Sequence, residues 1–330
     1  MSARVADAAL DIGELMKLAS SPDPLAFRRG LVLAKEQGLD VNLKTINGTL
    51  LHMACFGCVE NVIELLSEEG AGRKAGFHAV NAVNSIGETA LHICMHSTTQ
   101  TQRENIVLEL LEKSGIMAGF VAVSAQNIYG STALHSPTCT KQGVRSIIQR
   151  VEQIEGADGK RRLIRLLSAT GHTILHNAQP SKIEGLMECC TAEEIIFLMQ
   201  TTTINGWPAL HTIHNPTAIK TLLSLSHIRL HHHLQPTPRL NDVMDTNGRT
   251  ALHFAMREWY FGYRQFEIVS ALIFPNRKPR RGSTSASENN DNDNDDFRGD
   301  GDVDEMERWI IGGVDPNIGC SERQMRLGPR

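Results

Sequence analysis

The chain has 330 residues, of which 41% are hydrophobic and only 5% aromatic, and its formal net charge at pH 7 is −4. So small a net charge argues against a surface built for nucleic acid or for a membrane, and we expect neither as a partner. No run of about 18 apolar residues occurs, so membrane insertion is not expected.

The cysteines and the first residues bear on the compartment. Seven cysteines, an odd number at irregular spacing, indicate reduced thiols rather than a disulfide framework. Residues 1–7 contain no apolar stretch of the kind that directs secretion. We therefore expect an intracellular protein, first of all a cytoplasmic one, with the nucleus as an alternative.

Residues 1–40 contain two stretches with apolar residues at helical spacing. Residues 10–16 predict a short amphipathic helix, and residues 24–37 predict a second one that ends at Gly38. We expect these two helices to form an N-terminal cap over the elements that follow.

From residue 47 onward the chain repeats one short phrase, Gly-x-Thr-x-Leu-His or a close variant of it. Such a fixed period predicts a solenoid of stacked units rather than several globular domains. Six copies occur, at 47–52, 87–92, 130–135, 171–176, 206–211 and 248–253. They divide the chain into units at about 41–79, 80–121, 122–166, 167–201, 202–239 and 240–276.

The phrase resembles the Thr-Pro-Leu-His of the ankyrin repeat, whose period is about 33 residues. Residues 80–82 precede Gly87 as the strand precedes the turn in that family, and the leucine pairs at 65–66 and 110–111 resemble those of its second helix. The resemblance extends over roughly residues 10 to 320 and implies an all-α ankyrin-repeat solenoid. Its helix-turn-helix units would be joined by β-turn loops and would curve around a concave face.

Each residue of the phrase has a physical task. Glycine, or Asn47 in the first copy, is expected at positive φ, and the threonine is expected to cap the first helix. Pro208 replaces this threonine in the fifth copy and predicts a distorted helix start. By resemblance, the histidine is bonded to the backbone of the adjoining turn. The expected structural residues are Thr49, His52, Thr89, His92, Thr132, His135, Thr173, His176, His211, Thr250 and His253.

The units differ in detail. In the second, residues 97–102 are expected to form an inserted loop, followed by a helix over 104–113. In the third, Pro137 predicts a short first helix, and residues 156–160 predict a charged loop. In the fourth, Thr191 and Glu194 predict a capping box at the start of an additional helix over 191–199.

The last part of the chain departs from the pattern. Residues 277–304 begin with a basic cluster and continue with Asn, Asp, Ser and Gly, a composition typical of a disordered loop. The basic cluster is also the reason for naming the nucleus as an alternative location. Residues 305–330 predict a partial C-terminal repeat and a tail.

Two motifs favour metal or redox chemistry only weakly. Cys55 and Cys58 form a Cys-x-x-Cys, but no second pair or His-x3–5-His partner stands at a suitable spacing. His227 is followed by three histidines at 231–233, with no carboxylate or cysteine nearby in sequence. We expect no bound metal, no cofactor and no catalytic residue.

The ankyrin resemblance implies protein–protein recognition through the concave face of turns and first helices, by a scaffold that is monomeric by itself. Alternatives within the same class are an inhibitor or adaptor subunit and a host-directed effector, each acting on one partner. An alternative of another class is a metal protein or enzyme that uses residues 227–233. By resemblance, the partner-binding positions are Ser85, Ile86, Glu88, His96, Ser97, Ile128, Tyr129, Ser131, Cys139, Thr140, Trp207, Thr246, Asn247, Arg249, Arg257 and Glu258.

Overall fold

The computed structural model describes residues 10–95, 100–230 (the backbone alone for 225–230) and 243–253, together with Ala255, Ile268, Ala271 and Leu272. The chain divides into two units, Met1–Arg277 and Lys278–Arg330, and every described residue lies in the first. Regular structure in this described part is helical. Pairing of the β type is confined there to isolated bridges, which join Thr45 to Gly48, Val83 to Thr89, Thr202 to Pro208 and Met244 to Thr250.

The described helices are mostly short and follow one another through tight turns. In chain order they are α1 (Ile12–Ser20), α2 (Pro24–Glu36), α3 (Leu50–Ala54), α4 (Val59–Leu66), α5 (Ala71–Lys74), α6 (Ala90–Cys94), α7 (Gln100–Glu112), α8 (Ser114–Met117), a 3₁₀ turn (Ala133–His135), α9 (Lys141–Arg165), α10 (Pro180–Cys189), α11 (Ala192–Gln200), α12 (Ala209–Thr212) and α13 (Pro216–Leu230). None of them is long and apolar enough to cross a membrane.

The two N-terminal helices form where the sequence predicts them. The Asp11 side chain caps α1 by accepting a 2.7 Å hydrogen bond from the Glu14 N–H. The Asp23 side chain caps α2 by accepting hydrogen bonds from the N–H groups of Leu25 and Ala26. Leu15 of α1 and Phe27 of α2 are fully buried. Both helices therefore turn an apolar side towards the rest of the stack.

Successive units stack on one another. Helix α1 packs against α3 and α3 against α6, while α4 packs against α7, α7 against α9, α9 against α10 and α10 against α13. The leucine of the phrase is buried in the first five copies, at Leu51, Leu91, Leu134, Leu175 and Leu210. Because each unit buries its apolar side on its neighbours, the described part is an all-α solenoid.

The third and fourth units lack an ordinary first helix. In the third, Pro137 follows the 3₁₀ turn, which confirms the prediction of a short helix. In the fourth, residues 171–179 form turns, and Asn177 adopts a positive φ of 57° before α10 begins at Pro180. The additional helix of this unit is α11, and Thr191 and Glu194 form the predicted capping box.

Three local predictions are wrong. Residues 156–160 do not form a loop: Gly156 takes φ 71°, but the helix resumes because the buried Leu163 and Ile164 follow at helical spacing. The loop expected at 97–102 is helical from Gln100, and residues 96–99 lie outside the described part. In the first copy of the phrase, Gly48 rather than Asn47 takes the positive φ.

Two four-residue helices, α5 and α8, were not predicted from the sequence. Each precedes the same tripeptide, Ala-Gly-Phe, at 75–77 and at 118–120. The glycine there has positive φ, 88° at Gly76 and 82° at Gly119, and Phe77 and Phe120 are buried. The repeated tripeptide is the sequence pattern that marks these connections.

Candidate functional site

The turns that contain the phrase are joined edge to edge by backbone hydrogen bonds. In each step an N–H of one turn donates to a carbonyl of the preceding turn. The five bonds run from Ser85 to Ile46 (3.3 Å), Ile128 to Ile86 (3.0 Å), Ala169 to Tyr129 (2.8 Å), Ile204 to Thr170 (3.1 Å) and Thr246 to Gly206 (3.3 Å). We call this row of bonds the turn ladder.

Polar side chains hold the individual turns closed. The Asn127 side-chain oxygen accepts from the N–H groups of Tyr129 and Ser131, at 3.0 Å each. Asn84 and Asp245 do the same in the second and sixth turns. Such side-chain-to-backbone bonds are typical of Asn and Asp in turns. The turns are therefore fixed both internally and to one another.

The histidine of the phrase forms a second row of bonds between units. In the first copy, the His52 Nδ1 accepts the Thr49 N–H at 3.1 Å, so Nε2 carries the proton and donates to the Glu88 carbonyl at 2.9 Å. The same Nε2 bond is made by His92 to Ser131, His135 to His172, His176 to Trp207 and His211 to Arg249, at 2.9–3.2 Å. We call this row the histidine row.

The fifth copy shows how the proline is accommodated. Pro208 has no N–H, so the bond from threonine N–H to Nδ1 found in other copies cannot form with His211. The helix α12 still starts directly after Pro208, and His211 still reaches the Arg249 carbonyl at 2.9 Å. The contact between units therefore survives the loss of the threonine.

Burial in these interfaces keeps the histidines neutral. It lowers the pKa of His135 and of His176 to about 4, and it also lowers the pKa values of His52 and His211. In His52, His135 and His176 both ring nitrogens form hydrogen bonds, so the neutral imidazole has neither a free lone pair nor a free proton to offer a substrate. These histidines therefore serve the stack, and their geometry does not suit general acid–base catalysis.

Large apolar side chains stand exposed at the tips of the ladder turns. Ile46 is 77% exposed, Ile204 73%, Ile128 64% and Tyr129 57%, while Ile86 is half-buried between the first and third turns. Ladder bonds connect the first three of these turns directly, so Ile46, Ile86, Ile128 and Tyr129 follow one another along one edge. We call Ile46, Ile86, Ile128, Tyr129 and Ile204 together the turn-tip patch.

Sequence reasoning missed the two most exposed members of the patch. Ile46 and Ile204 both occur in the tetrapeptide Thr-Ile-Asn-Gly, at 45–48 and 203–206. The recurrence of an isoleucine directly before Asn-Gly, where a turn tip is expected to be polar, is the pattern that marks them.

The other expected partner-binding residues have varied surroundings. Ser85, Thr246 and Asn247 are exposed, and Glu88, Ser131, Trp207 and Arg249 are half-buried. Cys139 and Thr140, expected at the surface, are buried because a loop replaces the first helix of the third unit. His96, Ser97, Arg257 and Glu258 lie outside the described residues.

A buried cation lies between the third and fourth units. Lys182 of α10 is fully buried, and its Nζ donates to the Ser136 carbonyl at 2.9 Å. Burial lowers the pKa of Lys182 to about 8. The neighbouring Cys139 thiol has its pKa raised to about 11, also by burial. A fully buried lysine and a thiol of such high pKa are poor candidates for reaction with a substrate from solution.

Of the two candidate metal sites, the structure describes the cysteine pair but not the side chains of the histidine segment. Cys55 ends α3 and Cys58 precedes α4, and both are buried free thiols. Within the described residues, no three His, Cys, Asp or Glu side chains are grouped so as to hold a metal ion. Residues 231–233 lie outside that part, and at 227 only the helical backbone is described.

Comparisons with known proteins found similarity among solved structures. No family model matches the chain, and no curated protein matches it. Among solved structures, the crystal structure of an ankyrin repeat protein matches 80% of this chain and 98% of its own, with 16% sequence identity and a TM-score of 0.35.

Proposed function

We propose that this protein is a recognition module that binds a protein partner through the turn-tip patch, with no catalysis of its own. The observation that carries the proposal is the exposure of four large apolar side chains at the tips of mutually bonded turns. Contiguous exposed apolar side chains on a soluble protein commonly mark an interaction site. Because the turns are held by two rows of bonds, binding would cost little ordering of the loops.

The composition of the tips supports a protein partner. Tyr129 and Trp207 are of the residue types that most often anchor protein interfaces. Charged side chains are scarce in these turns, as they are at the centres of such interfaces. The resemblance of the phrase to that of ankyrin repeats favours the same function.

Narrower versions of this function remain predictions. An inhibitor or adaptor subunit, or a host-directed effector, would use the same patch on one specific partner. For the alternative of a metal protein or enzyme, the residues concerned lie at 227–233. Metal analysis of tag-free protein distinguishes that alternative from a recognition module.

The proposal predicts that Ile128→Ser combined with Tyr129→Ser abolishes partner binding without weakening the fold. Both side chains are more than half exposed, so their loss removes little buried area. Affinity capture from the native cell would compare the wild type, this double variant and Met117→Ser. Met117 is 67% exposed but lies away from the turn tips, in α8.

We expect stoichiometric partners of the wild type and of Met117→Ser to be missing from the double variant, with equal melting temperatures for all three proteins. An unchanged partner list for a folded double variant would refute the patch as the binding site. Early melting of the double variant together with normal binding would show that these side chains serve the fold instead.

A further inference from the structure

We propose that the partner presents an amphipathic α-helix that lies along the row of turn tips, with one apolar residue of every heptad contacting one turn. This inference rests on the proposed function and specifies the kind of partner that the turn-tip patch accepts. Spacing, hydrogen-bonding capacity and charge at the tips each support a helix over an extended segment.

The spacing of the tips follows from the bonds that connect them. Within a turn, one rung closes the hairpin, as where the Asn127 N–H donates to the Ser131 carbonyl at 2.9 Å. Between turns, a second rung is the ladder bond, as from Ile128 to Ile86. Two hydrogen-bonded steps of about 4.8 Å place successive tips about 10 Å apart.

A helix matches this interval. Seven residues at a rise of 1.5 Å advance about 10.5 Å, and a heptad repeat keeps the same side facing its partner. An extended strand covers about 10 Å in three residues, and residues three apart point to opposite sides of a strand. A strand therefore cannot offer a like-facing side chain to each successive turn.

Several backbone N–H and carbonyl groups at the tips already form hydrogen bonds within the protein. The ladder takes one N–H and one carbonyl from each interior turn, and the Asn84, Asn127 and Asp245 side chains take further N–H groups. An extended ligand would bring unpaired backbone groups to a surface with little to offer them, at a cost in free energy. A helix satisfies its backbone internally, apart from its ends.

The scarcity of charged residues at the tips also favours an amphipathic helix. The first five turns, residues 44–48, 84–88, 126–131, 167–172 and 202–207, contain only Lys44 and Glu88 as charged residues, in a chain that is 21% charged. The complement of such a strip is the apolar stripe of an amphipathic helix, with its charged side facing water. At the fourth turn, Ala169 and Thr170 are small, so we expect a bulkier apolar residue opposite them.

The test is selection of binders from a phage-displayed library of random 35-residue segments, long enough for five heptads, with the full chain as bait. Each enriched sequence is then tested against the Ile128→Ser/Tyr129→Ser variant and against Met117→Ser as a control. We expect enriched sequences to have apolar residues at heptad spacing and to become helical on binding. Their Kd should rise more than tenfold for the double variant and stay unchanged for the control.

The outcomes separate this inference from the proposed function. Sequences that need Ile128 and Tyr129 but lack heptad spacing, for example proline-rich or alternating ones, would overturn the helix while leaving the patch as the binding site. Sequences that bind the double variant as well as the wild type would overturn the patch itself. Failure to enrich any sequence would overturn the helix inference, while affinity capture still tests the patch.

Discussion

Lys182 shows how one side chain replaces a missing piece of structure. The third unit has only a 3₁₀ turn where a first helix is expected, and the backbone donates to the Ser136 carbonyl at its end only through the long 3.4 Å bond from the Cys139 N–H, which leaves room for a second donor. Lys182 supplies that donor from α10, with its ammonium wholly buried. Within the described residues it forms no salt bridge to a carboxylate, so the charged form is disfavoured and its pKa falls to about 8.

This lowered pKa predicts a rise in stability at alkaline pH. Between the folded pKa of about 8 and the unfolded value of 10.5, the unfolded chain binds a proton that the folded chain does not. The contribution of Lys182 to the free energy of unfolding should therefore rise by roughly 2 kcal/mol between pH 7.5 and pH 10. Below pH 8 both states are protonated, and this contribution is lost.

Urea unfolding of the wild type and of Lys182→Met at several pH values measures the effect. We expect the alkaline rise to be smaller in Lys182→Met, whatever its absolute stability. Burial raises the pKa values of the Cys139, Cys55 and Cys94 thiols, so the unfolded chain loses these protons within the same window and the free energy of unfolding falls. Both proteins share these thiols, so the comparison between them isolates Lys182. Identical pH profiles would show that folding does not lower the pKa of Lys182.

At the scale of elements, the connections after the second helices of the first two units share one design. In the first unit, the carboxylate of the buried Glu64 accepts a hydrogen bond from the Ala71 N–H at the start of α5. In the second, the buried Glu109 accepts one from the Ser114 N–H at the start of α8. Gly115 of α8 lies so close to the preceding helix that an added Cβ would overlap the Leu110 carbonyl oxygen. The short helix can fold back only because that position has no side chain.

Two glycine substitutions in this connection should differ in cost. Gly115→Ala forces backbone apart and should destabilise the protein by about 3 kcal/mol. Gly119→Ala meets no atom within 4 Å and suffers only from its positive φ of 82°, at about 1 kcal/mol. Chemical denaturation of both variants checks the difference. Equal costs would contradict a steric role for Gly115.

The sequence predicts elements well where a cap or a proline decides them. Thr191 and Pro137 each act within a few residues, and the helix start and the shortening they predict are present. It fails at Gly156, because a glycine that takes positive φ looks like a loop until the burial of Leu163 and Ile164 is known. Contacts between units, which override local preference, were not visible in the pattern.

The candidate site was only partly predictable for a related reason. Family resemblance names positions relative to the glycine, and it reached Ile128 and Tyr129 in this way. The same position, two residues before the glycine, holds Ile46 in the first copy and Ile204 in the fifth, but it was not carried over to these two copies, so both residues were missed. Pro137 predicted the short first helix of the third unit, but the burial of Cys139 and Thr140 that accompanies it depends on packing between units and was not predicted.

At the scale of the whole molecule, the histidine row makes the stack sensitive to acid. In the four copies with a threonine, the histidine of the row must be neutral, since a protonated Nδ1 could not accept the threonine N–H. The folded pKa of His135 and of His176 is about 4, against 6.5 as the ordinary value. Between these values the unfolded chain binds protons that the folded chain refuses, so stability falls as pH falls.

We expect the free energy of unfolding to fall between pH 7 and pH 5 by roughly 2 kcal/mol for each of these two histidines. His52 and His211, whose pKa values are also lowered, add to the loss. Urea titrations at both pH values measure it, with His176→Phe as the matched variant. That variant should be less stable at pH 7 but less dependent on pH; an equal dependence would contradict the assignment.

The turn ladder and the histidine row run in opposite senses. In the ladder, each later turn donates to the earlier one, whereas each histidine donates from the earlier unit to the later one. The dipoles of the two rows therefore oppose each other along the stack, instead of adding up as they do along a helix. Each added unit contributes one bond of each sense, so the two rows together build up no common direction along the stack.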